Sequence, residues 1–170
     1  MVALRIRSKS VARQKAGKTR RRVTVVGIGA SAGGLEAFRA ILERLPAHSG
    51  MALVFIQHLD PTRNSYLREL LEQTSPIPVY TARQGMRVEQ DRVYVIPSNA
   101  ILTIADGRLW LEPRKATAAT TMPVDTFLRS LASEMGSRAI GVILSGNASD
   151  GVLGLKAIKA AGGIALAQDV

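Results

Sequence analysis

Residues 23–34 have the sequence VTVVGIGASAGG, and this stretch decides the fold. Val23–Ile28 is a β-rich apolar run, typical of a buried strand, and Gly29–Gly34 is a turn of small residues. The helix predicted next ends near Pro46 and has apolar side chains at helical spacing, namely Leu35, Phe38, Ile41, Leu42 and Leu45. A strand, a glycine-rich turn and a helix in this order predict the first half of a βαβ unit.

The rest of the chain alternates strands and helices in the same way. Met51–Ile56 is almost entirely apolar, as strands covered on both faces are. A second helix is predicted to open at Asp60-Pro61-Thr62, with an inner face of Tyr66, Leu67, Leu70 and Leu71. Further strands are predicted at Ile77–Tyr80, Val93–Ile96, Ala139–Leu144 and Gly163–Ala167, and helices at Pro123–Gly136 and Val152–Ala161.

One segment breaks this alternation. Ile101–Ala105 and Arg108–Glu112 flank Asp106-Gly107, a dipeptide typical of a two-residue β-hairpin turn, and a polar loop is predicted at Pro113–Thr121. Because helical connections join parallel strands, the sequence predicts an α/β fold. We expect a doubly wound, mostly parallel sheet with helices on both faces and one antiparallel β-hairpin.

Length and composition limit the class of protein. The chain has 170 residues, enough for one domain with one sizeable core. It contains no cysteine, which excludes disulfides and thiolate metal sites and fits a reducing, cytoplasmic location. No apolar run approaches the roughly 18 residues that span a bilayer, so no transmembrane segment is predicted.

The net charge of +10 is concentrated at the N-terminus. Residues 1–22 hold nine of the 23 Lys and Arg residues and none of the 13 acids, so residues 23–170 are nearly neutral. We therefore predict a basic, disordered leader at 1–22 and one folded domain at 23–170. The leader is interpreted as solubilising, with a weak tether to acidic lipid or nucleic acid as the alternative. A specific nucleic-acid partner is not predicted for the domain.

Three loops that follow strands carry the residues best suited to catalysis, because ligands of doubly wound sheets bind beyond the carboxyl ends of the strands. The first, Gly29–Gly33, fits the pattern G-x-S-x-G between a strand and a helix. This indicates that Ser31 is a nucleophile beside helix N–H groups that favour an oxyanion. Two alternatives stay open: a glycine turn for close packing, and a dinucleotide site, since Gly27, Gly29 and Gly33 form a loose glycine fingerprint.

The other two loops supply partners for that serine. His58 ends the strand expected to neighbour the first one, so its imidazole could serve as the base for Ser31. Asp150 follows the strand at Ala139–Leu144 and suits a carboxylate that orients an imidazole. Taken alone, Asp150 is more typical of a helix N-cap.

Five segments resemble the catalytic domain of the chemotaxis protein-glutamate methylesterases, the CheB family, and occur in family order. They are Val26–Gly34, Phe55–His58, Val93–Pro97, Pro123–Asp125 and Gly141–Gly146 leading to Asp150-Gly151. By this resemblance the family's serine, histidine and aspartate fall on Ser31, His58 and Asp150. The resemblance implies hydrolysis of glutamyl methyl esters, and deamidation of glutamines, on the cytoplasmic helices of methylated chemoreceptors, with no metal or organic cofactor.

Several features depart from the family pattern. Ala32 replaces a common threonine but keeps its backbone N–H, which with Gly33 is expected to contact the oxyanion. Asn147, where methionine is common, is either a further oxyanion donor or a turn residue. The short leader and Pro123–Asp125 resemble the esterase domain of esterase–methyltransferase fusion proteins, which implies a methyltransferase domain in the parent chain. The family domain continues beyond the equivalent of Val170, which implies that the domain is truncated here.

Three functions are therefore compatible with the sequence. The leading hypothesis is a serine-type protein-glutamate methylesterase. The second is an inactive or regulatory receptor-docking module of the same fold. The third is a nucleotide-binding domain, which is weakened because the second strand ends in Gln57-His58, with Asp60 beyond, where an acid usually holds the ribose.

Overall fold

A computed structural model describes residues 23–31, 33–57, 66–114, 122–144 and 149–169. The strands are β1 Thr24–Ala30, β2 Met51–Gln57, β3 Val79–Thr81, β4 Met86–Arg87, β5 Arg92–Val95, β6 Ala100–Ala105, β7 Arg108–Pro113, β8 Ile140–Leu144 and β9 Ile164–Ala167. The helices are α1 Gly34–Glu43, α2 Leu67–Glu72, α3 Pro123–Met135 and α4 Val152–Ala160. Among these described elements no helix has the length and apolar character needed to cross a membrane.

The main sheet confirms the predicted doubly wound architecture. In the described ranges it has six parallel strands in the order β3-β5-β2-β1-β8-β9. The first strand is therefore central, and the strand order reverses beside it. In register, Ala30 lies opposite Gln57 of β2 and Leu144 of β8, so three strands end side by side. Ligands of such sheets bind at this kind of switch point.

Helices cover both faces of the main sheet, as predicted. Alternate residues of a strand point to opposite faces, so Val25 and Val26 of β1 enter different cores. On one face Phe38 of α1 and Leu71 of α2 are fully buried, and Phe38 stacks on Phe55 with ring centroids 4.3 Å apart. Helices α3 and α4 cover the other face, where apolar side chains of α3 also pack against the smaller sheet.

The predicted hairpin is confirmed and proves to be part of a larger sheet. Asp106 and Gly107 have φ of 52° and 67°, the two positive values that a type I′ turn requires, and Ala105 pairs with Arg108. Strand β4, which the sequence did not predict, pairs with β7 and makes this sheet three-stranded in the described region. A two-residue strand is too short to show an alternating pattern.

The predicted inner face of α2 was partly wrong. Leu67 and Leu71 of α2 are buried, but Tyr66 and Leu70 are 70% and 40% exposed. The buried stripe of this six-residue helix consists of Leu67 and Leu71, four residues apart, and Tyr66 precedes its first residue. In α1, Phe38 and Leu42 form the buried stripe, and the side chain of Ile41 is 37% exposed. The predicted start of the second helix, at residues 60–62, lies outside the described residues.

Candidate active site

Ser31 directly follows the central strand and begins a tight turn into α1. Its carbonyl oxygen accepts a hydrogen bond from the Gly34 N–H at 3.0 Å, which closes the turn. The N-cap of α1 is Gly33, which makes no side-chain cap, so the positive end of the helix dipole faces the serine segment. This is the strand–turn–helix context that the sequence predicted for a nucleophile.

A second bond holds the same turn from the neighbouring strand. Gln57 ends β2 and is 9% exposed, and its Nε2 donates to the Ser31 carbonyl oxygen at 3.3 Å. The sequence identified Gln57 as part of the segment Phe55–His58 and as a residue that does not suit a ribose, but did not predict this bond. The available signal was a lone amide at the end of an otherwise apolar strand, since a buried amide requires a hydrogen-bond partner.

Glycines allow neighbouring elements to approach this turn closely. A Cβ added at Gly29 would overlap Val124 at the start of α3, and one at Gly34 would lie 2.5 Å from the Ala30 Cβ. The close-packing interpretation of the glycines is therefore correct for these two positions. It is compatible with a nucleophile, because the packing involves Gly29 and Gly34 rather than the side chain of Ser31.

We expect Gly29→Ala to lower the free energy of unfolding by about 1–3 kcal/mol, the usual cost of adding a methyl group to a tightly packed core. The overlap with Val124 would push α3 away from β1. Urea denaturation would measure the loss. The matched control is Gly33→Ala, at an exposed position where φ is −78°, a value that residues with a side chain adopt without strain. Equal stability of the two variants would contradict the packing role of Gly29.

The Asp150 carboxylate binds the N-terminus of α3. Its Oδ1 accepts from the Asp125 N–H at 2.9 Å and its Oδ2 accepts from the Val124 N–H at 3.1 Å. The predicted N-cap role is thus real but belongs to a different helix, because α4, which follows Asp150, has Gly151 at its N-cap. A carboxylate accepts about four hydrogen bonds, so these two bonds are compatible with another to an imidazole.

Asp150 is linked to the serine turn through Val124. The Val124 N–H donates to Asp150, while the Val124 side chain lies against Gly29, two residues before Ser31. Asp150 and Ser31 therefore lie at the same end of the sheet, beyond the adjacent strands β8 and β1. The hydrogen bond from the Asp125 N–H to Asp150 was not predicted from the sequence, in which Asp125 was identified only as part of the segment Pro123–Asp125.

Three predicted site residues fall outside the described part of the chain: His58, Ala32 and Asn147. His58 directly follows Gln57, whose Cα is paired with that of Ala30, the residue before Ser31. The predicted neighbourhood of the two strands is therefore confirmed, while the position of the imidazole stays a prediction. In the residues that the structure does describe, no three His, Cys, Asp or Glu side chains are grouped to hold a metal ion.

Comparison with known proteins gives one matching family. The family model described as CheB methylesterase matches residues 26–170. A protein-glutamate methylesterase/protein-glutamine glutaminase 2 from Burkholderia lata is 39% identical over 154 residues, covering 86% of this chain and 43% of its own length. A similarly named protein from Myxococcus xanthus is 36% identical over 149 residues, covering 87% and 41%. The chain thus spans less than half the length of these curated relatives.

A solved structure shares the fold. The crystal structure of the Thermotoga maritima CheB methylesterase catalytic domain superposes with a TM-score of 0.76 at 29% sequence identity. The match covers 87% of this chain and 80% of that one. The likeness therefore extends over most of this chain.

Proposed function

Because the chain belongs to the CheB methylesterase family, we propose that it is a serine-type protein-glutamate methylesterase acting on methyl-accepting chemoreceptors in the cytoplasm. The observation that carries the proposal is the arrangement of three strand ends. Ser31 follows the central β1, and the in-register ends of β2 and β8 flank it. His58 is the next residue after β2, and Asp150 closes the loop after β8.

In the proposed reaction the Ser31 Oγ attacks the carbonyl carbon of a glutamyl methyl ester while His58 accepts the hydroxyl proton. The carbonyl oxygen becomes an oxyanion, which the N–H groups of Ala32 and Gly33 at the start of α1 stabilise, with Asn147 as a further donor. His58 then returns the proton to the leaving methoxide, and methanol departs.

The second half of the reaction repeats these roles with water. His58 deprotonates a water molecule that attacks the acyl-enzyme, and Ser31 leaves with its proton restored, so the receptor keeps a free glutamate. Asp150 stabilises the imidazolium that forms in each half. A glutamine side chain would follow the same route with ammonia as the leaving group. No step requires a metal or organic cofactor.

We further propose a methyltransferase domain as a partner in the parent chain.

The test is release of radiolabelled methanol from a receptor cytoplasmic fragment whose glutamates carry labelled methyl esters. We expect label to enter the volatile fraction in proportion to the amount of chain added. A fragment with glutamine at the methylated positions is the matched substrate control and should give ammonia but no methanol. If the chain binds the methylated fragment and releases no methanol, the methylesterase proposal is wrong and the docking-module hypothesis takes its place.

A further inference from the structure

A second aspartate, Asp125 in the first turn of α3, lies directly behind Asp150. It is 5% exposed. Its Oδ1 accepts from the N–H groups of Gly151 at 3.0 Å and Gly154 at 2.6 Å. Its Oδ2 is also buried and has no hydrogen-bond partner among the described residues. A carboxylate removed from water is costly, so this position is maintained by the bonds it makes to α4.

Asp125, in α3, caps the N-terminus of α4, and Asp150, just before α4, caps the N-terminus of α3. Gly151, the N-cap of α4, has no side chain to offer, and Asp125 supplies that cap from α3. Met122, the N-cap of α3, makes no side-chain cap either, and Asp150 supplies it from the loop before α4. Four backbone N–H groups are thereby bonded in a closed exchange between the two helix starts.

The surrounding contacts leave this exchange little freedom. Gly151 has φ of +107°, and a Cβ there would overlap Ile143 of β8. A Cβ at Gly154 would lie 2.6 Å from the Leu128 Cβ and 3.3 Å from the Asp125 Cα. The start of α4 therefore lies directly against α3, and Asp150, one residue before Gly151, is held from both sides.

We propose that Asp125 is a positioning residue for Asp150, fixing where the catalytic carboxylate lies by anchoring Gly151 and Gly154. This inference rests on the proposed function. Asp125 itself is buried behind the helix starts and acts only through Asp150. Its removal would free the backbone next to Asp150 while leaving Ser31 and its turn unchanged.

The kinetic test compares Asp125→Ala with Asp125→Asn in the methanol-release assay. The alanine variant should lower kcat about 10- to 100-fold with little change in KM, as expected for a misplaced supporting group. The asparagine variant retains an acceptor oxygen and should recover part of the lost kcat. The matched control is Ser130→Ala, which removes a side-chain bond to the Ile104 N–H further along the same helix. It should keep the wild-type kcat.

A second measurement does not depend on turnover. The Val124 and Asp125 amides donate to Asp150, so their hydrogen-exchange protection, followed by NMR, reports whether Asp150 is still in place. Protection of both amides should fall in Asp125→Ala and not in Ser130→Ala. If Asp125→Ala does not fold, Asp125→Ser, which keeps one short acceptor, replaces it in both experiments.

The outcomes separate the two proposals. Unchanged hydrogen-exchange protection of the amides at positions 124 and 125 in Asp125→Ala overturns the positioning role, whatever the methanol assay shows. A wild-type chain that releases no methanol overturns the methylesterase proposal, while the exchange data still decide whether Asp125 positions Asp150. Wild-type kcat in Asp125→Ala, with methanol release intact in the parent, likewise overturns the positioning role.

Discussion

Ser31→Ala is expected to lower the rate of methanol release by about 10⁴- to 10⁶-fold, the loss seen when a serine nucleophile is removed from a triad. The reason is that no other hydroxyl follows the central strand at this turn. The fold should be preserved, because the turn is held by the backbone carbonyl of Ser31 through bonds from Gly34 and Gln57. Alanine keeps that carbonyl.

The measurement pairs initial rates of methanol release with urea unfolding of the same preparations. Ser149→Ala is the matched control, since Ser149 lies in the loop after β8 at the same end of the sheet but has no role in the proposed reaction. It should retain activity within the error of the assay. Undiminished release by Ser31→Ala would exclude a serine mechanism, and loss of activity together with unfolding in Ser31→Ala would show that the side chain is structural.

The parts of the fold that the sequence predicted are those set by local chemistry. Asp106-Gly107 determines a hairpin because its two residues adopt positive φ. The apolar run Met51–Ile56 determines a doubly covered strand because both of its faces are buried. Failures occurred where tertiary packing decides: Leu70 satisfies the helical period, yet α2 packs into the core through Leu67 and Leu71 and leaves Leu70 40% exposed.

The candidate active site likewise combines features set by local sequence with features set by tertiary packing. The motif around Ser31 located the nucleophile candidate, because a tight strand-to-helix turn needs small residues in consecutive positions. The partners of buried polar groups could not be predicted in this way. Gln57 binds a carbonyl 26 residues away, and Asp125 binds amides 26 and 29 residues away. Such bonds depend on which strands are neighbours and on how closely two helices approach, and neither is encoded in a local pattern.

Asp150 is the residue for which the structural and catalytic interpretations make different predictions. As a cap, Asp150 accepts hydrogen bonds from two backbone N–H groups at the start of α3. As an orienting carboxylate, it must also carry the negative charge that stabilises an imidazolium. Asp150→Ala removes both properties. Asp150→Asn keeps one acceptor oxygen, which suits a helix N-terminus nearly as well as a carboxylate oxygen does, and removes only the charge.

We expect the two variants to be almost equally inactive, with kcat lowered about 10⁴-fold, because an uncharged partner no longer holds the imidazole in the required tautomer. Their stabilities should differ: alanine should cost about 1–2 kcal/mol of unfolding free energy, and asparagine less. Urea unfolding and methanol release would be measured on both.

Asp91→Ala is the control for this pair, since Asp91 also accepts from a backbone N–H, that of Gly50 at 2.7 Å, but before β5 at the opposite end of the sheet. That variant should lose stability and keep its activity per folded molecule. If Asp150→Asn retains near-wild-type activity, Asp150 serves as a helix cap alone, and the carboxylate that orients His58 must be supplied by another residue. If activity instead falls in step with stability across all three variants, the loss reflects unfolding, and the assignment of Asp150 to the triad is wrong.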